Sequence, residues 1–259
     1  MHDRITFFVD VESPLHRLNP LTKLMLVFTI ILLAFLSPWY FLPTGLFFLV
    51  IIPLSFWGRI GKVFLESVVR LLLPIFGFLF VMQAFFYPGG QTEIFHIWKL
   101  AVTTEGVHAA YLIVTRILAM VSSFLLLLLS THPSILMSDL TRRGFPGSLS
   151  YIITSSLQIL PQMRNKAASI IDAQRSRGLE TEGALKDRIR ALVPLVRPLV
   201  FGSLVDVEER TIAIEARGFT TACVKTSLLD ILDPRVEKAA RWLMVLILVA
   251  VIGSRLWVS

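Results

Sequence analysis

Two short arginine-bearing stretches stand out for the chemistry they could do. Ser176-Arg177-Gly178-Leu179-Glu180-Thr181 and Ala216-Arg217-Gly218-Phe219-Thr220-Thr221 each close a helical pattern, with their central arginines 40 residues apart. A glycine just past a helix end relieves the left-handed backbone there, and a basic residue in the last turn complements the helix dipole, so either stretch alone reads as an ordinary cap. A near-copy at the end of two successive helices is less ordinary. Two equivalent tips suit a chain that engages a pair of similar partners, one arginine to each. Arginine fits that task because its planar fork binds a carboxylate or backbone carbonyls in a groove, which the point charge of lysine does less specifically.

Catalytic chemistry has little to stand on. No GxxxxGK[ST] loop is present, so the phosphate cradle of a P-loop ATPase is missing. His2, His16, His96, His108 and His132 lack metal-ligand spacing, and neither HExxH nor GxSxG occurs. Glu208, Glu209 and Glu215 read as charges of a solvated helix surface rather than a catalytic dyad. Cys223 is the single cysteine, which excludes an internal disulfide and a cysteine-rich metal site. The chain is expected not to be an enzyme and to need no cofactor or metal.

The helices that carry the tips are amphipathic. In the first, Ile152, Ile153, Leu157, Leu160, Met163, Ala167, Ile170 and Ile171 recur at helical spacing, and Pro161 predicts a kink. In the second, Leu185, Ile189, Leu192, Val193, Val196, Leu199, Val200, Leu204 and Val207 repeat similarly, and Pro194 and Pro198 predict a division into shorter helices.

Around them the pattern is different. Solid apolar runs cover Lys23–Leu36, Tyr40–Trp57, Val68–Tyr87 (stopped by Pro88, Gly89 and Gly90), Gly106–Ser130 and Ala239–Val258. These predict about five membrane spans, not all of them as long as the roughly 20 residues that cross a hydrocarbon core. The composition agrees: 55% hydrophobic, 17% charged and a mean hydropathy of +0.73 are too apolar for a soluble chain of this length. The formal charge of +7 could suggest nucleic acid, but the basic residues sit beside apolar segments and no nucleic-acid motif is present. The first twenty residues, with Asp3, Arg4, Asp10, Glu12 and Arg17, do not read as a secretory signal.

Lysine and arginine are retained on the cytoplasmic side. The N-terminal arm has Arg4, Arg17 and Lys23, the first loop none, the second Arg59, Lys62 and Arg70, the third only Lys99. The N-terminus is therefore expected inside and, with five spans, the C-terminus outside. The organisation expected is four spans in 1–130, a cytoplasmic segment in 131–238 that holds Arg142, Arg143, Arg164, Lys166, Arg175 and Arg177, and a last span in 239–259. Arg116 lies well inside an apolar run, where a charge costs about 2.5–3.5 kcal/mol unless it is paired or faces protein. Two readings stand side by side: Arg116 is a candidate contact for another membrane subunit, or the span begins near Leu112 and Arg116 snorkels outward.

At this point the sequence resembles the T component of energy-coupling factor transporters, the family that includes membrane subunits of cobalt and biotin uptake systems. Ser13-Pro14-Leu15-His16-Arg17-Leu18-Asn19-Pro20-Leu21-Thr22-Lys23-Leu24 resembles that family's opening segment, close to HxLdPrtKL. Thr104-Glu105-Gly106 with Arg116 resembles the start of its fourth span; Leu160-Pro161-Gln162 precedes the first arginine signature, and Glu215-Ala216-Arg217-Gly218-Phe219 matches the second. The first signature departs from the family in beginning with Ser176 where alanine is frequent.

The resemblance implies an all-α, polytopic subunit of a prokaryotic cytoplasmic membrane, with about five transmembrane helices and cytoplasmic amphipathic coupling helices. It implies docking of Ser176, Arg177 and Gly178 on one ATP-binding-cassette ATPase and of Ala216, Arg217 and Gly218 on another. A separate S-type membrane subunit would capture the vitamin or metal ion, and this chain would transmit ATPase movement to it. The rivals are a conventional ABC permease, which would carry one coupling helix per chain, a membrane-embedded lipid-processing enzyme, which would need acidic metal-binding clusters, and a scaffold without transport.

Overall fold

The structure, a computed structural model, describes residues 13–37, 39–87, 92–97, 100–179, 185–219, 221 and 233–258. The N-terminal Asp3, Arg4, Asp10 and Glu12, the Pro88-Gly89-Gly90 stop, and Lys99, Glu180, Thr181, Thr220 and Cys223 lie outside the described residues. Ten α-helices are described: α1 Pro14–Arg17, α2 Pro20–Leu36, α3 Leu42–Leu46, α4 Ile52–Trp57, α5 Gly61–Phe86, α6 Thr104–Ser130, α7 Pro133–Arg142, α8 Gly147–Ser176, α9 Leu185–Ala216 and α10 Arg235–Val258. A π-helical turn, Phe47–Ile51, joins α3 to α4. Among the described residues the architecture is all-helical but for one small antiparallel hairpin, β1 Glu93–Ile97 with β2 Leu100–Thr103, between the third and fourth apolar runs.

Contacts group the chain into two compact units, Met1–Arg143 with Leu229–Ser259, and Gly144–Leu228. In the first, the starts of α1, α2, α6 and α7 carry side-chain caps. Ser13 accepts from the His16 amide, Asn19 Oδ1 from Leu21 at 2.9 Å, Thr103 Oγ1 from Gly106 at 3.2 Å and His132 Nδ1 from Ser134 at 3.3 Å. Pro14, Pro20 and Pro133 stand at or beside the first helical position, where a missing N–H costs nothing.

Helix directions in this unit alternate. Lys23, near the start of α2, reaches Ser130 at the end of α6, and Arg116 of α6 reaches Ala34 near the end of α2, so these two run antiparallel. Gly106, near the start of α6, lies against Ala84 and Gln83 near the end of α5, which sets α5 antiparallel to α6 and hence parallel to α2. Gly58, after α4, meets Leu15 beside the start of α2, while Thr44 of α3 bonds Tyr111 in the first half of α6, so the 42–57 segment runs against α2. Glu237 meets Thr22 at one end and Arg255 meets Leu36 at the other, so α10 runs parallel to α2. Five apolar segments thus alternate in direction along the chain, as consecutive spans must.

Helices α5 and α6, with 26 and 27 residues, are long and apolar enough to cross a membrane, and Pro20–Leu36 and Leu42–Trp57 are shorter apolar helices. Their core includes Ile30, Ala34, Ile51, Phe64, Leu72 and Ala119. In lipid no water is released when helices meet, so close approach and hydrogen bonding carry the packing. Helix α6 supplies the close approach, with Ala110, Ala119, Ser122 and Ser123 wholly buried, and bonds its neighbours through Tyr111 to Thr44 and Arg116 to Ala34. At Gly106 a Cβ would stand 3.0 Å from the Ala84 carbonyl oxygen, so glycine there sets how near α5 comes. Outward residues are apolar too, among them Leu71, Leu73, Phe78 and Val81 of α5.

In the second unit, α8 and α9 pack antiparallel. Lys166 Nζ donates to Asp206 Oδ2 at 2.7 Å and to the Gly202 carbonyl at 2.9 Å, Arg210 Nη2 donates to Gln162 Oε1 at 3.3 Å, and the Tyr151 and Phe219 rings lie 5.1 Å apart. The expected division of the second helix at Pro194 and Pro198 does not occur: α9 runs unbroken from Leu185 to Ala216. Each proline removes one i→i−4 bond, to the carbonyls of Arg190 and Pro194, and the remaining turns hold the helix through both. Helix α8 likewise runs through Pro161.

Candidate functional site

The first arginine tip is built by the backbone. Helix α8 ends because Gly178 takes φ +88°, a region where a side chain is strained. The Gly178 amide donates to the Arg175 carbonyl at 2.9 Å and the Leu179 amide to that of Gln174 at 3.0 Å. This paired closure, a Schellman motif, satisfies carbonyls that a helix end leaves unpaired. Ser176 Oγ donates to the Asp172 carbonyl at 3.0 Å, and Arg177 occupies the C-cap, exposed.

The second tip repeats the two backbone bonds of this closure. Gly218 takes φ +68°, its amide donates to the Glu215 carbonyl at 2.9 Å, and the Phe219 amide donates to that of Ile214 at 3.2 Å. Arg217 is exposed. Neither Arg177 nor Arg217 forms an ion pair with any described residue. Both guanidiniums are thus presented from a hydrogen-bonded turn, without such a partner among the described residues.

The antiparallel pairing sets the two tips apart. Arg210 is level with Gln162, so Ala216 is level with about residue 156, some 20 residues back along α8 from Ser176. At about 1.5 Å per residue that is roughly 30 Å between arginine tips at opposite ends of one helix pair.

A third helix end of the same composition, Arg143-Gly144-Phe145, follows α7, with Gly144 at φ +102°. The sequence reading counted Arg143 only as a basic residue; the repeated Arg-Gly-Phe was the signal that could have singled it out. Its guanidinium is engaged within the first unit, Nη2 with Asp233 Oδ2 at 3.0 Å and Nε with Asp139 Oδ2 at 3.5 Å. Asp233 also accepts from Arg241 Nη2 at 2.6 Å. Burial would raise the Asp233 carboxyl, but the hydrogen bonds and charges of Arg241 and Arg143 outweigh it and hold the group below the usual carboxylate range.

The family-like opening segment lies beside these groups. Glu237 Oε2 accepts from the Asn19 amide and from Thr22 Oγ1, each at 2.9 Å, while Lys23 Nζ donates to the Ser130 carbonyl at 2.8 Å. Lys23, Glu237 and Arg241 are all buried. The segment is therefore a seam that ties α2 to α6 and α10, a role its composition did not disclose.

Arg116 finds an acceptor in its own chain. Its Nε donates to the Ala34 carbonyl at 3.1 Å, and its guanidinium lies 5.9 Å from the Phe35 ring centroid. Among the described residues no group of three or more His, Cys, Asp and Glu could hold a metal ion.

The CbiQ family model, described as cobalt transport protein, matches residues 11–228. The energy-coupling factor transporter transmembrane protein of Thermanaerovibrio acidaminovorans is 32% identical over 235 residues, covering 85% of this chain and 84% of that protein. The protein of the same name from Staphylococcus aureus is 31% identical over 234 residues, 85% of each chain, and that from Leuconostoc gelidum is 30% identical over 248 residues, 90% of each. With the family match running from the seam through both arginine tips, the chain belongs to the CbiQ family of transporter membrane proteins.

Proposed function

We propose that this chain is the non-catalytic T component of an energy-coupling factor importer in a prokaryotic cytoplasmic membrane. It passes the ATP-driven movement of two ABC ATPases to a separate substrate-binding membrane subunit, for uptake of a vitamin or metal ion. The observation that carries the reading is the pair of matching Schellman turns at opposite ends of one antiparallel helix pair, each presenting an exposed arginine with no ion-pair partner among the described residues. Two partners of similar shape can be gripped at once there, and a pair clasped by Lys166 moves with both. Ser176, Arg177 and Gly178 dock on one ATPase, and Ala216, Arg217 and Gly218 on the other. The alternating directions of the five apolar segments support the membrane reading, and the basic residues of the short loops support a cytoplasmic N-terminus.

The substrate-binding subunit would be met through apolar surface. Exposed Ile152, Leu157 and Leu160 of α8 and Val200, Phe201 and Leu204 of α9 supply such surface, and the unspent N–H groups of Arg116 offer a polar contact inside the membrane. The test is co-purification from native membranes of the wild type and the Arg177→Ala/Arg217→Ala variant. An ATPase pair that accompanies only the wild type supports docking through the tips. Undiminished assembly and uptake by the double variant would overturn it.

A further inference from the structure

At one end of the first unit, α2 and α10 change together from charged to apolar. Lys23 is the last charge of α2, and Arg241 precedes the run Trp242–Ile252 in α10. At that level a cleft of about 420 Å³ opens between them. Arg143, Lys238 and Arg241 line it on the polar side, and Leu21, Met25 and Trp242 on the apolar side.

Among the described residues no carboxylate lines the cleft. Asp139 and Asp233 hold the two arginines, and Glu237 is engaged by Asn19 and Thr22, but none of the three is a lining residue. Each guanidinium has five N–H donors and gives only part of them to those partners. Lys238 is exposed and has no ion pair with a described residue. Arg143 and Arg241 are therefore held by acidic partners, and with Lys238 they line a space in which no described carboxylate stands.

We propose that the cleft binds one anionic phospholipid. Its phosphate is held by Lys238 with the spare N–H groups of Arg143 and Arg241, and its acyl chain lies along Leu21, Met25 and Trp242. Basic pockets at the ends of membrane helices suit such headgroups, and an exposed tryptophan at the same level is the side chain favoured at a membrane–water interface. Trp242 is 75% exposed. A free phosphate would use the cations alone and leave the apolar wall unexplained. This inference is independent of the ATPase reading.

The test uses the purified full-length chain in an uncharged detergent, with native mass spectrometry of lipid retained from mixed micelles. Phosphatidylglycerol should be retained about tenfold more strongly than phosphatidylcholine, a difference of ~1.4 kcal/mol. Lys238→Glu, on an exposed position, should abolish that preference, and Val245→Trp, which fills the cleft from its wall, should lower retention without changing the charge. A melting temperature kept by Lys238→Glu shows that the loss is not one of folding. Equal retention of the two lipids, an unchanged preference in Lys238→Glu, or displacement of phosphatidylglycerol by inorganic phosphate at equal concentration would each overturn the proposal.

Discussion

Arg116 Nε donates to the carbonyl of Ala34, 82 residues earlier in the chain, and so caps the last turn of α2. A helix end leaves its last carbonyls unpaired, and in a membrane no water reaches them. Helix α2 has no basic residue of its own in that turn. Arg255 supplies a second donor, Nη1 to the Leu36 carbonyl at 3.3 Å. Two arginines from α6 and α10 thus meet the negative end of the α2 dipole.

Arg116→Ala should leave that carbonyl without its donor, at about 1–3 kcal/mol of stability. Thermal unfolding of the isolated chain in detergent reads it. Arg116→Lys should recover part of the loss, since an ammonium can reach one carbonyl but lacks the rigid fork. A loss seen only in the assembled complex would show that Arg116 serves a partner rather than α2.

At the tips, Gly178→Ala and Gly218→Ala keep both arginines but place a Cβ in a left-handed position, at about 1–2 kcal/mol each. The turns should loosen and ATPase binding weaken although no charge is lost. Titration of the ATPase pair onto the reconstituted chain checks it; affinity equal to wild type would mean that the arginines act as charges alone.

Gly202→Leu should break the α8–α9 clasp, because a Cβ at residue 202 would stand 2.8 Å from Lys166 Cε. Hydrogen exchange should rise around Lys166 and Asp206. Asp206→Asn should do much less, within about 1 kcal/mol, because that ion pair is largely exposed.

Acid should act through Asp233. A carboxyl held below its ordinary value of about 3.9 contributes stability that is fully present above that value and is lost as the pH falls through the folded value. Melting temperatures between neutral and strongly acidic pH should therefore fall more for the wild type than for Asp233→Asn, which starts lower at neutral pH. Parallel profiles would mean that the Arg143–Asp233–Arg241 bridge contributes nothing.

The spans and both arginine tips were legible in the sequence because they rest on local signals: runs of apolar residues, and a glycine following a basic residue at the close of a helical period. The prolines misled, since a Pro194 or Pro198 that removes a single hydrogen bond cannot by itself overcome the rest of a 32-residue helix. The β1–β2 hairpin escaped because its residues carry no Asn-Gly or Asp-Gly turn signal. The engagement of Arg143 was hidden for another reason. Its partner Asp233 is 90 residues away, and no periodicity reports a pairing at that distance.

The bond from the Asn19 amide to Glu237 spans 218 residues. On the ribosome, the start of α2 emerges 218 residues before its acceptor. At about 5–20 residues per second, α2 would wait roughly 10–45 seconds for it. During that interval the whole 144–228 unit is synthesised, while Asn19 and Thr22 lack the carboxylate that completes them. The seam therefore closes only as α10 inserts, and a chain stalled before α10 would reach quality control with that end of α2 open.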